Sequence, residues 1–344
     1  MIGDWGRGAV TALIVSLCFL LLAGPARADE SYAVGPSPIL NVLMTQGKVT
    51  ITTSDSPQIS VSSSGTVDVQ HLGPNDPNAQ YPPEIAIRQQ SVQVEQGGTL
   101  TLVRENFVLP HLAPGPHDAI VVRGQGDTTI TIPRGTALVF AHVGAGHITI
   151  QNYNGVFVAH SRVGGISLQH VGGTGFAQSL RGPVSVEDSS FARLRARTGT
   201  GNMLFRNCTA HQIEASSTYG SVVYDNGQFE PGLARFESQY GNVAVGVQNQ
   251  GAGVQIGAHS GSGRVVSNYS DGTPVSGSDV DTEARVRGGG PVVTTSSQSG
   301  SVYLYNGSLA GHPAVQQNFE SSVGGTMPAA AAAAQQRPVI PTQR

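Results

Sequence analysis

The sequence predicts an all-β chain: a single-chain β-solenoid of the parallel β-helix type, with about ten coils and repeats of 18–22 residues. Three observations carry this prediction. Glycines recur at Gly146, Gly164, Gly182, Gly201, Gly220, Gly241 and Gly263, 18 to 22 residues apart, with a further copy at Gly300. Around each glycine, apolar and small residues alternate with a period of two. Helix-forming segments are almost absent from a chain with 45 glycines and only 12% charged residues.

The repeat reads in columns anchored on its glycine. Seven residues before it stand Val139, Phe157, Gly175, Leu194, Ile213, Ala234, Ile256 and Val293. Five before stand Ala141, Ala159, Ala177, Ala196, Ala215, Phe236, Ala258 and Thr295, and three before is a column of Ser or Thr from Ser161 to Ser297. Two and four after it stand pairs such as Ile148 and Ile150, or Val222 and Tyr224. Inward offsets are odd before the glycine and even after it. Side chains alternate across a strand, so this describes two strands that share an inner face and join at a glycine corner. The Ala column predicts a narrow interior, and the hydroxyl column predicts side chains stacked near the corner. Asn152, Asp188, Asn207, Asn226 and Asn306 form a second corner column, six after the glycine.

Element by element, residues 1–28 read as a secretory signal peptide: Arg7, a short apolar run from Ala9 to Gly24, and Ala26-Arg27-Ala28 as a small-residue cleavage site. No stable membrane span is expected after cleavage. Residues 29–70 are expected to hold the first coils, with Leu40, Val42, Met44, Gly47, Val49 and Ile51 matching the repeat and Gly65, Val67 and Val69 matching its second half. Residues 71–135 are read as an insert or cap with extra strands, opened by Pro74, Pro77, Pro82 and Pro83 and closed by Pro133-Arg134-Gly135. Residues 136–308 are the regular solenoid, interrupted by a protruding Gly/Ser/Asp-rich loop over 270–291, and 309–344 are a disordered Ala/Pro-rich tail.

Several stretches resemble a known family. They are QGKVTITTSDSPQISV (Gln46–Val61), TTITIPRGTALVFAHVGAGHITI (Thr128–Ile150) and units such as IEASSTYGSVVYDN (Ile213–Asn226). On these the chain is similar to the bacterial putative-adhesin, domain-of-unknown-function family of exported β-solenoid proteins. The resemblance spans roughly residues 38–308 and departs from the family at the insert after Gly65 and at the tail. It implies the architecture and export to the periplasm or cell surface, and it brings no catalytic signature and no ligand.

The candidate chemistry is sparse. Outward charges fall in columns: Arg195, Glu214 and Arg235 on three successive coils, and Glu187, Arg206 and Asp225 likewise on three successive coils. Both read as structural ladders that penalise a slipped register. His142 and His160 stack on adjacent coils and face outward as candidate surface-binding residues, but two imidazoles without a third ligand do not make a zinc or copper site, so no metal and no cofactor is expected. Tyr303 and Tyr305 face outward near the last coil and read either as a small sticky stripe or as cover for the final coil. Cys208, the one cysteine after the signal segment, reads as a buried thiol.

With a formal net charge of −3 and no basic cluster, a nucleic-acid partner is not expected. No nucleophile elbow, phosphate loop or zinc-protease motif is present, so no catalytic residue is assigned. The expected function is an exported, non-enzymatic scaffold that binds a glycan, an envelope polymer or a protein. The alternatives are a polysaccharide-processing β-helix enzyme and an envelope filament assembled end to end.

Overall fold

A computed structural model describes residues 28–76, 117–248, 252–269 and 273–317, together with the backbone of the antiparallel pair Val92–Gln96 and Thr99–Val103. The expected signal peptide, most of the insert and the tail beyond residue 317 lie outside the described residues.

The chain winds as a flattened solenoid of two facing sheets. Sheet A holds the short strands that follow each glycine, such as Ile148–Gln151, Ile166–Gln169, Val184–Glu187 and Met203–Arg206. Sheet B holds the longer strands that precede it, such as Leu138–Ala145, Asn154–Val163, Gly172–Arg181, Ser190–Thr200 and Thr209–Tyr219. Coils stack in parallel, repeat on repeat: Ala141 pairs with Ala159, Ala159 with Ala177, Ala177 with Ala196, and Ala196 with Ala215. The alternating columns bury as the period of two predicts. Val139, Phe157, Ile213, Ala141, Ala159, Val222 and Tyr224 are fully or almost fully inaccessible, and one continuous core runs the length of the rod.

The glycine corner has a specific chemistry. Each Ser or Thr three residues before a glycine donates its hydroxyl to the carbonyl of the corner glycine on the adjacent coil. Ser161 reaches Gly146, Ser179 Gly164, Thr198 Gly182, Ser217 Gly201 and Ser238 Gly220, at 2.8–3.1 Å. A Cβ on Gly164 or Gly201 would collide with that same carbonyl, and both residues have positive φ. Close stacking and backbone conformation together therefore require glycine here. At the opposite corner Asn152, Asp188, Asn207 and Asn226 are left-handed, with φ of 48–56°. Asn207 donates to Asp188, and Asn226 to Asn207. His170 occupies the same column and conformation. Asn306 does not, because Gly307 takes the positive φ at that corner.

Coil order in space departs from coil order in sequence at both ends. The 119–133 segment, expected within the cap, is a full coil paired in parallel with residues 39–54. The 39–54 coil in turn pairs with 138–151, so it sits between two later segments. The cap is made by Gln58–Ser63 and Val67–Leu72, which run antiparallel to the 119–133 coil on sheets A and B. Gly65 is thus the turn of the cap and not the corner of a second coil. Ala28–Ala33 adds a further antiparallel strand on Gln58–Ser63.

The far end mirrors this arrangement. The 292–306 coil inserts between 234–247 and 254–268. Residues 275–277 and 281–286, expected in a protruding loop, are antiparallel strands that close the end of sheet B. The first residues of the expected tail are ordered. Residues 309–317 fold back as a turn of 3-10 helix and a short helical stretch, and bury Leu309 and Val315 on the outer face of sheet A.

Candidate binding faces

Among the described residues, the closed core leaves the outer faces, corners and ends of the rod for recognition. On sheet A the outer column carries the ladder Glu187–Arg206–Asp225, with nitrogen–oxygen separations of 3.7 and 3.8 Å. Asp225 is not an exposed rung. It is 4% exposed and accepts from the Leu309 amide at 2.7 Å and from the hydroxyls of Tyr305 and Ser308 at 3.2 Å. Burial, with Asp225 beside it, pushes the Tyr305 phenol well above its ordinary range. Tyr303 and Tyr305 do point outward, but they pack with Leu204, Val223, Ala244, Leu309 and Val315. The expected sticky stripe is a buried patch, because segment 309–317 covers it.

The outer face of sheet B changes character along its length. Its first half is apolar: Ile39, Leu138, Phe140, Val158 and Phe176 form a second cluster with Leu43 and Val156. His142 and His160 border it. Their rings stack at 4.8 Å, with the two Nδ1 atoms 2.7 Å apart. At that distance one ring donates its N–H and the other accepts, and no gap remains for a metal between them. Burial holds both imidazoles below the usual histidine range, His160 at about 4.

The second half of this face is polar. Arg195 donates to Glu214, at 2.8 Å from Nη2. Arg235, expected to continue that ladder, turns instead to Glu237 on its own strand at 2.6 Å. Burial depresses the Arg197 guanidinium, while the charges of Glu214 and Glu237 oppose the shift. Further along, His259 bonds Asp281 at 2.6 Å and Arg285 bonds Glu283 at 2.9 Å. Here the antiparallel strands beyond residue 274 wall an open cleft of about 830 Å³, lined by Leu233, Arg235, Glu237, Gly257, His259, Asp281, Glu283, Thr294 and Ser296 among others. The sequence reading assigned nothing to it. The signal was present in the strand as Gly257, a glycine outside the corner columns.

The glycine corner carries an exposed stripe that the sequence reading also missed. Val163, Arg181, Thr200, Tyr219 and Tyr240 are register partners one residue before their glycines. Tyr219 and Tyr240 stack at 4.9 Å, almost parallel at 9°. Cys208 is buried, and desolvation lifts its thiol to about 12, which removes it from thiolate chemistry. Among the described residues, no group of three or more His, Cys, Asp or Glu is placed to hold a metal ion. No described helix is long and apolar enough to cross a membrane.

A family profile described as Toastrack DUF4097 matches residues 40–304. A crystal structure described as a "putative cell adhesion protein" from Clostridium sporogenes is similar at 12% identity and a TM-score of 0.28, over 81% of this chain and 99% of that one. No curated protein matches the sequence.

Proposed function

The chain belongs to the Toastrack DUF4097 family, and from that premise we propose that it is an exported, non-enzymatic β-solenoid scaffold whose outer faces bind a glycan, an envelope polymer or a protein. The observation that carries this reading is the pairing of outer-face carboxylates with basic side chains. Glu187, Glu214, Glu237, Asp281 and Glu283 each lie against an arginine or histidine. Glycoside hydrolysis needs one carboxyl raised enough to donate a proton and a second left free to act as base or nucleophile. A guanidinium neighbour works against the raised carboxyl that the acid role requires. What these columns do supply is a rigid, repetitive surface on which weak contacts add by multivalency.

The experiment is retention of the full chain on an array of glycans, cell-envelope polymers and envelope proteins, with every polymer recovered and weighed by mass spectrometry. Retention with unchanged mass is the expected result. Shortening of any polymer would overturn the non-enzymatic reading, and failure to retain any member of the array would overturn the scaffold reading.

A further inference from the structure

We propose that the cleft floored by Gly257 at the far end of sheet B is a binding site for an uncharged oligosaccharide segment. This inference rests on the scaffold reading and deepens it. The argument begins with the glycine. Gly257 lies inside the strand Val254–Ser260, between inward Ile256 and Ala258, so it faces out. Glycine in a strand interior weakens the strand and marks either a conformational need or a close approach by something else. Elsewhere in the described strands a Cβ on glycine would press into a neighbour; Gly144, Gly175 and Gly246 meet Thr45, Phe157 and Tyr305. On Gly257 a Cβ would meet nothing nearer than the Val293 carbonyl at 4.0 Å, and its φ is not in the left-handed region. Neither packing nor backbone conformation demands glycine here. Its effect is to open the floor of the cleft.

The walls select the ligand class. In register beside Gly257 stand Thr294 and Glu283, with Arg235 on the strand beyond Thr294. The ionisable groups are joined in pairs: Arg235–Glu237, His259–Asp281 and Arg285–Glu283. A polyanion or polycation would have to break these pairs. An uncharged ligand can use the lone pairs and N–H groups each pair leaves over, along with the nearby Thr294 and Ser296 side chains. The floor strands are internal, with ladders on both sides, and the edge strand at the wall, Val275–Gly277, is only three residues long, so an extended peptide finds little to pair with. An amphipathic helix would need an apolar groove, and the one large apolar side chain at this cleft is Leu233, 47% exposed. Hydroxyl-rich pyranose units meet these conditions. Their hydroxyls match the donors and acceptors, and their C–H faces match Leu233.

The test is the affinity of the full chain for neutral oligosaccharides four to six units long, β-linked glucose and N-acetylglucosamine and α-linked glucose, set against oligogalacturonate and a random peptide pool. Gly257→Phe should fill the cleft without a backbone clash. The expected result is binding of a neutral oligosaccharide, reduced at least tenfold by Gly257→Phe with the melting temperature unchanged. Glu237→Ala, a smaller change at the opposite wall, should reduce it about threefold to tenfold and guards against misfolding of the first variant. Equal binding by both variants would overturn the cleft while leaving the scaffold reading intact. Binding of oligogalacturonate or peptide that Gly257→Phe abolishes would overturn the ligand class. Absence of any oligosaccharide binding would overturn the inference, and the scaffold reading would then stand or fall on the envelope-polymer and protein array.

Discussion

Ala215 shows how tightly single positions are specified. It is buried in register between Ala196 and Phe236. The Phe236 ring lies 4.8 Å from Tyr224 and packs against Phe205 and Phe229, so the interior widens on one side only. Ala215→Leu should therefore overpack the narrow side and cost about 1–3 kcal/mol, read as a lowered denaturant midpoint; an unchanged midpoint would place the Ala column outside the core. Reversing Glu214 to Arg should cost less than about 1 kcal/mol, because its pair with Arg195 is partly solvated. His160 adds a pH dependence. Its folded-state pKa, about 4, lies below the ordinary value of 6.5, so the unfolded chain binds the proton more readily. That stability is complete above pH 6.5 and is lost as pH falls toward 4, on the order of 3 kcal/mol. His160→Gln, which places the residue found next in the column at Gln178, should flatten the stability profile between pH 7 and pH 4. An unaltered slope would assign the acid sensitivity elsewhere.

At the scale of elements, legibility followed the repeat. Regular coils were readable because inner columns hold odd offsets before each glycine. The 119–133 coil was not, because Gly126 pairs with the corner Gly47 but its inward Ile120 and Val122 stand six and four residues ahead of it. One residue is missing before the corner, and Gly124 stands opposite Met44 where a repeat would place a hydroxyl. The reversed strands of the caps keep apolar alternation, so Gly65-Thr66-Val67 mimics half a repeat; direction is invisible to periodicity. The Asp225 anchor was hidden differently. Its partners Tyr305, Ser308 and Leu309 lie 80 to 84 residues away, and no local pattern signals that contact. Asp225→Ala should release residues 309–317, expose Tyr303 and Tyr305, and cost about 2–3 kcal/mol. Limited proteolysis should show new cleavage within 309–317. Continued protection there would mean that Leu309 and Val315 hold the segment without the carboxylate. The cleft is legible only in part, since Gly257 stands out in the sequence but the Gly/Ser/Asp-rich composition of the 275–286 wall hides its strand pairing.

The whole rod is closed by crossing its own order at both ends. In a simple solenoid the last coil in sequence is the last in space, and it frays first. Here the 292–306 coil lies inside, between 234–247 and 254–268, and the Ser297 hydroxyl donates to the Gly241 carbonyl while that of Ser260 donates to Gly300. The later segment cannot leave without breaking ladders on both of its sides, whereas 254–268 is covered on its outer side by the strand 281–286 on sheet B alone. Local opening follows the number of ladders and buried contacts that must be lost. Native-state hydrogen exchange should therefore find the amides of 265–268 and 275–286 opening at lower free energy than those of 293–297 and 302–305, although the latter are nearer the C-terminus. The reverse order, with 292–306 exchanging first, would contradict the inserted coil. The same arrangement bears on self-assembly. Among the described strands, the edges are Val275–Gly277 and Val265–Asn268 at this end, three and four residues long, and at the other end Ala28–Ala33, which carries Glu30, and Val67–Leu72, which carries Asp68. Short edges and charged ones are poor templates for another copy, so the crossed ends disfavour end-to-end assembly relative to the side contacts of the proposed scaffold role.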